Sequence, residues 1–264
     1  FMGNSFVGLM TTSSMADSAH TFSFDGMTNL LDNQIGIDGQ IIITSNERKG
    51  VYGNFTFSPL GFFSGWVDYY HYDEGLNIND LGYLWRNNYT QTKLGLKFQS
   101  LEPWNIIRHA SIILEGDREE NADGLNLGQT IELNYDIQLD NYWGIGGGLY
   151  KIMEHYDDRK IILDYEQNDF GPPIFIPEVM GAHFNISTDK HRVFWGTLSL
   201  TYASNTRDDT ERGRYAELIY RPNPHLSFAT SYDNYHLIKQ FHWLEYFEEF
   251  GESHYIFSNL NRKI

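Results

Sequence analysis

The chain has 264 residues, a net charge of −16, no cysteine and 16% aromatic residues. Such acidity excludes a nucleic-acid partner, because nothing is left to neutralise a row of phosphates. No window of about 18 apolar residues occurs, which excludes a transmembrane helix, and the absence of cysteine is compatible with the periplasmic side of a bacterium.

Period-two patterning predicts about fourteen strands. In chain order they are Gly3 to Thr11, Thr21 to Leu31, Gln34 to Thr44, Gly50 to Ser58, Phe62 to Tyr72, Tyr89 to Ser100 and Ile106 to Glu115. Leu127 to Leu139, Tyr142 to Met153, Gly181 to Thr188, Arg192 to Tyr202, Arg214 to Arg221, His225 to Tyr232 and Tyr255 to Asn261 follow. The stretch Asn126 to Asp140 is the clearest: Leu127, Ile131, Leu133, Tyr135, Ile137 and Leu139 take one parity, while Gly128, Thr130, Glu132, Asn134, Asp136 and Gln138 take the other. Side chains alternate across a strand, so this ribbon has one oily and one wet face. It is also longer than the usual soluble strand of about 5 or 6 residues and suits the 9 to 11 that a tilted bilayer crossing needs.

The connections alternate in length. Leu31 to Gln34, Pro59 to Gly61, Leu101 to Asn105, Asp140 to Asn141, Asp189 to His191 and Pro222 to Pro224 are short and carry turn formers. Between them lie longer polar segments, such as Asp73 to Asn88, Glu154 to Met180, Ala203 to Gly213 and Asp233 to His254. Short and long in turn is the rhythm of an up-and-down meander with one periplasmic and one external rim. The glycines Gly144, Gly146, Gly147 and Gly148 suit a bend of the wall or the close approach of a loop. The run Ile238 to Phe250 reads as a short amphipathic helix or an aromatic loop at the outer rim. The opening residues lack a signal peptide, and Asn261 to Ile264 read as a strand cut short, so a fragment of a longer protein is expected.

Motifs for chemistry are sparse. Asp117, Glu119, Asn121 and Asp123 before Gly124 offer oxygen ligands at alternate positions, but Ala122 and Gly128 occupy the sixth and twelfth places where an EF-hand needs glycine and glutamate; a solvated acidic loop is the competing reading. Glu245, Glu248, Glu249 and Glu252 among Trp243, Tyr246, Phe247 and Phe250 could form a sugar platform or a carboxylate pair for glycoside hydrolysis, or simply an interfacial segment. There is no G-x-S-x-G, no H-E-x-x-H and no cysteine nucleophile, and the histidines do not pair at ligand spacing. No catalytic residue, cofactor site or metal site is assigned.

The segment Leu76-Asn-Ile-Asn-Asp-Leu-Gly-Tyr-Leu-Trp-Arg-Asn-Asn88 carries a run Asn79, Asp80, Leu81, Gly82, Tyr83, Leu84 and Arg86. It resembles an N-D-L-G-[FY]-L-x-R motif of a bacterial, Bacteroidetes-type outer-membrane family that joins an N-terminal module similar to carbohydrate-binding family nine to a C-terminal β-barrel domain of unknown function. Arg221 to Phe228 and Tyr255 to Arg262 resemble that family's late turn and late strand. The resemblance implies a barrel in the bacterial outer membrane, with the sugar-binding module and further strands outside this chain, and it supplies no catalytic residues.

The expectation is therefore an all-β, antiparallel up-and-down transmembrane β-barrel over residues 1–264, with about 14 strands visible and part of a larger barrel. Leu127, Ile131, Leu133, Ile137, Leu198, Leu200, Leu226 and Phe228 are assigned to lipid. Lys93, Lys97, Glu132, Asn134, Asp136, Gln138, Thr197, Ser199, Glu217 and Arg221 are assigned to the lumen, with Asp80 and Arg86 in a long loop that either pairs them inside the lumen as a plug or simply folds over the rim. Expected partners are outer-membrane lipid and lipopolysaccharide, a glycan ligand and other outer-membrane or periplasmic proteins. The expected role is to anchor a carbohydrate-binding module or pass a glycan-related solute; a carbohydrate hydrolase within the barrel and a fatty-acid or small-solute channel are the alternatives.

Overall fold

Strict alternation of oily and wet side chains is best satisfied by a sheet with two unlike faces. That is what a computed structural model of the chain contains; it describes residues 5–14, 19–76, 78, 84, 86–164, 169–249 and 252–263. The long strands are β1 (Phe6–Ser14), β2 (Ala19–Leu30), β3 (Ile35–Thr44), β4 (Lys49–Leu60), β5 (Phe63–Tyr72), β6 (Tyr89–Gln99), β7 (Ile107–Glu120), β8 (Asn126–Leu139) and β9 (Gly144–Ile152). After β10 (His155–Asp157), β11 (Ile162–Asp164), β12 (Asp169–Phe170) and β13 (Ile174–Ile176) come β14 (Val179–Ser187), β15 (Phe194–Asn205), β16 (Thr210–Asn223), β17 (Leu226–Glu249) and β18 (Glu252–Lys263).

Fourteen strands form one sheet in which each bonds to the next along the chain, except that β9 pairs with β14. The intervening segment folds on itself, β10 with β13 and β11 with β12, so the meander resumes unbroken. Every strand read from the sequence is present; β10 to β13 are too short to show a period. Among the described residues no helix is long and apolar enough to cross a membrane.

Three expectations are corrected. The sheet order ends at β1 and β18 with no pairing between them among the described residues, so the sheet is open and not a closed barrel. Alternation fixes which face is oily, but closure depends on strand number, tilt and shear, which no local pattern encodes. Ile238 to Glu249 is strand: β17 runs 24 residues and pairs with β18 from His236↔Lys263 to Glu249↔Glu252. Leu127 is 8% exposed, buried despite sharing the parity of exposed Ile131 and Leu133.

The chain divides into two compact units, Phe1–Gln99 with Ile113–Thr130, and Ser100–Ile112 with Ile131–Ile264. In the first, one face carries Phe24, Ile37, Ile41, Phe55, Val67, Leu94 and Leu96, all exposed. In the second, Ile131, Leu133, Phe184, Leu198, Leu200 and Leu218 are exposed in the same way. Among the described large apolar side chains, only Leu76 and Ile161 are below 2% exposure. In each unit the oily side chains are therefore exposed where a soluble sandwich would bury them, and apolar patches beyond a few hundred Å² are rare on soluble monomers.

Candidate functional site: a polar, tyrosine-lined sheet face

The other face of each unit carries the chemistry. In the first unit, register sets residues of β3 to β6 in rows across the strands. Asp38 stands opposite Asn54, Asn54 opposite Asp68, and Asp68 opposite Lys93. Asn54 Nδ2 donates to Asp68 Oδ1 at 2.7 Å, leaving the carboxylate between an amide and the strand position of a lysine. One row on, Asp25, Gln40, Tyr52, Tyr70 and Gln91 face one another in turn. The Tyr52 and Tyr70 rings lie 4.9 Å apart, and the Tyr52 hydroxyl donates to Asp38. Gln91 Nε2 donates to Glu119 Oε1 at 2.7 Å, and the Tyr89 hydroxyl donates to the same carboxylate. Buried polar groups call for partners, and these carboxylates, amides and phenols find one another, while the buried Ser23 Oγ on the same face has none among the described residues.

Asp117 and Glu119 are thus strand residues of β7, not parts of a cation loop. Asn121 closes the following turn, its Oδ1 accepting from the Asp123 amide at 3.0 Å and the Leu125 amide at 2.9 Å.

Aromatic side chains on this face share one device. Tyr72 stands opposite Gly50, and Trp66 opposite Gly95. In the second unit Tyr150 stands opposite Gly181, and Tyr235 opposite Gly213. A Cβ built on Gly95 or Gly181 would overlap the opposing ring, and one on Gly50 would come within 3.0 Å of Tyr72 Cδ1. At Gly50, Gly95 and Gly181 the absent side chain leaves room for the opposing ring, whereas at Gly213 that room is taken by Thr201 Oγ1, with Tyr235 Cδ2 in ordinary contact at 3.5 Å. Leu76 uses the same gap, its Cδ2 lying 3.1 Å from the Cβ position of Gly50.

The segment after β5 is tied back at this end. Asp73 accepts from the Lys49 amide at 2.8 Å and bonds His71 Nε2 at 3.1 Å. Burial pushes the Asp73 carboxyl up, but these bonds and the nearby Arg48 outweigh it and hold it below the usual carboxylate range. Asn87 Nδ2 donates to the Leu76 carbonyl at 3.1 Å, and the Arg86 guanidinium lies 5.6 Å from the Tyr89 ring centre. Asp80, with Leu81, Tyr83 and Trp85, lies outside the described residues, as do the side chains of Glu245, Glu248 and Glu249.

In the second unit the glycines of β9 serve neighbouring side chains, not a bend or a loop. Gly144, Gly146 and Gly148 face Ser187, Asn185 and His183. A Cβ on Gly148 would lie 2.6 Å from His183 Cε1 and 2.8 Å from the Leu133 carbonyl, so Asn134 and His183 occupy the space a side chain would take. Tyr235 bonds Glu211, and Tyr215 bonds Glu217. At the short-turn end, His109, Asp136, Gln138, Ser187, Lys190 and His191 line a cavity of about 350 Å³.

The residues assigned to the wet face fall as follows. Lys93 opposes Asp68, Lys97 opposes Ser64, and Glu217 lies between Thr197 and Ser231. Ser199 opposes Asn185 and Tyr215. Glu132, Asn134 and Gln138 are half-buried, Asp136 is exposed, and Arg221 is exposed beyond a register break at Tyr220. The aromatic–glycine pairs were missed, although a glycine at a wet-parity position within a strand is a signal that something large lies across it.

The chain matches no curated protein and no solved structure. The family model described as Domain of unknown function (DUF5916) matches residues 2–264, all but the first residue, and the chain belongs to that family.

Proposed function

We propose that this sheet is the wall of a bacterial outer-membrane β-barrel, with lipid against its oily face and a water-filled lumen along its polar face, through which a glycan-related solute passes. One observation supports the reading above the others: the oily residues are exposed along strand after strand, while on the opposite face Asp38, Asp68, Glu119, Glu211 and Glu217 are bonded by neighbouring amides and phenols. Hydrocarbon is the solvent that makes such an arrangement stable, and it demands closure, since an open edge would strand unpaired backbone groups. Strands of 10 to 14 residues, as in β3 to β8, reach across a bilayer at the usual tilt. Phenol rings lying flat beside carboxylates and amides suit pyranose faces and hydroxyls, which favours a sugar-like solute.

A second reading, a plugged barrel that anchors a carbohydrate-binding module, is favoured by the segment after β5, where Leu76 packs on Gly50 against the polar face. Proteoliposome swelling in sugars of graded size separates the two. Swelling with a size limit supports passage, and none at any size supports the plugged anchor. A purified chain that stays monomeric in buffer without detergent would refute both.

A further inference from the structure

On the oily face of the second unit the register assembles a row of basic residues. Tyr202 stands opposite Arg212, Arg212 opposite His236, and His236 opposite Lys263. Arg214 follows two residues along β16, on the same face, opposite Leu200 and Asn234. Like charges at directly opposed positions of a sheet repel, and none of these register positions holds a carboxylate. On the same face of this unit Lys151 is neutralised, its Nζ lying 2.8 Å from Glu178, and in the first unit Arg118 Nη2 lies 3.0 Å from Glu120. Arg212 and Arg214 are exposed and form no ion pair among the described residues; the Arg212 guanidinium lies 5.8 Å from the Tyr202 ring centre. His236 Nε2 is buried and has no hydrogen-bond partner among the described residues. In a chain with a net charge of −16, three bases gathered with no acid at their register positions among the described residues call for an anion from outside.

The placement identifies its kind. On β16 the oily-face residues run Tyr220, Leu218, Ala216 and then Arg214 and Arg212, so the bases begin where the apolar band stops. Long basic side chains at that level extend toward the headgroups while their stems stay in the band. We propose that Arg212, Arg214 and His236 seat the phosphate of an anionic membrane glycolipid, with the Tyr202 ring beside it. The inference rests on the membrane reading above, because a lipid headgroup reaches this row only if the oily face meets a bilayer.

The protein in neutral detergent micelles is titrated with lipid A carrying its phosphates and with lipid A stripped of them, and retained lipid is read by native mass spectrometry. The phosphorylated form is retained and the stripped form is not. R212Q/R214Q weakens retention roughly thirtyfold, at about fivefold for each basic residue facing an anionic surface. Arg118→Gln, whose charge is already paired, leaves retention unchanged, and heat-modifiable gel mobility establishes that each variant is folded; H236Q carries the comparison if the double variant is not. Equal retention of both lipids, or unchanged retention in the double variant, overturns the proposal. Displacement of the lipid by equimolar inorganic phosphate overturns its lipid source. A chain that never enters micelles fails the membrane reading before any lipid is added, so the two failures are distinct.

Discussion

Asp189, in the turn between β14 and β15, shows what one carboxylate organises. Its Oδ1 accepts from the His191 amide at 2.9 Å and faces His191 Nδ1 at 2.8 Å, while Oδ2 accepts from Arg192 Nε at 3.1 Å. The His191 amide holds the carboxyl below its ordinary range; burial opposes this, and the His191 ring and Arg192 add to it. A folded-state value below the unfolded one means stability present above the unfolded pKa of about 3.9 and lost as pH falls through the lower folded value. Wild type therefore unfolds at higher urea than Asp189→Asn at pH 7, and the gap closes progressively below about pH 4; a gap that widens on acidification would contradict the assignment. Residues on opposite faces make a sharper pair. Leu198→Arg on the oily face costs about 2–4 kcal/mol in lipid vesicles, whereas Thr197→Arg on the polar face costs about 1 kcal/mol or less. Equal costs for the two would mean that lipid does not discriminate the faces.

Within the strands, glycine does what no side chain could. Gly95 lies under Trp66, so Gly95→Ala must displace the indole or shift the strand, for about 1–3 kcal/mol. Gly53, on the oily face of the adjacent β4, has nothing within 4 Å of its Cβ position, and Gly53→Ala is close to neutral. Urea unfolding midpoints of the two variants in one detergent decide the matter, and a Gly95→Ala protein as stable as Gly53→Ala would mean that the ring does not need the gap. This scale also marks what the amino-acid order made legible. Asn126 to Asp140 could be placed on a strand because period two is a local property, and fourteen strands follow from it. The Trp66 and Gly95 pairing could not, because register belongs to two strands at once. The second half of β17 misled for a related reason: F-H-W-L-E-Y-F-E-E-F spaces its aromatics at helical intervals, and only the ladder with β18 makes Phe241 to Glu249 extended.

Across the molecule, the polar faces carry an excess of negative charge. In the first unit, Asp25, Asp38, Asp68, Glu115, Asp117 and Glu119 share that parity with Lys93 and Lys97. In the second, Glu132, Asp136, Glu211, Glu217 and Asp233 outnumber Arg221 and Arg262. A water-filled space walled by such surfaces concentrates cations and repels anions, with a reach of about 10 Å at 0.1 M salt and 3 Å at 1 M. If these faces line a lumen, the protein in a planar bilayer under a potassium chloride gradient gives a reversal potential of the sign set by potassium. The selectivity weakens from 0.1 M to 1 M salt as screening shortens the field. Asp38→Asn with Asp68→Asn removes two of the six carboxylates of the first unit, and each isostere keeps hydrogen-bonding capacity toward Asn54 and Tyr52, so folding survives while selectivity falls. Arg212→Gln, on the oily face, leaves the reversal potential where it was. Anion selectivity in the wild type, or a shift with R212Q equal to that with D38N/D68N, would show that the carboxylate face is not the one the ions meet.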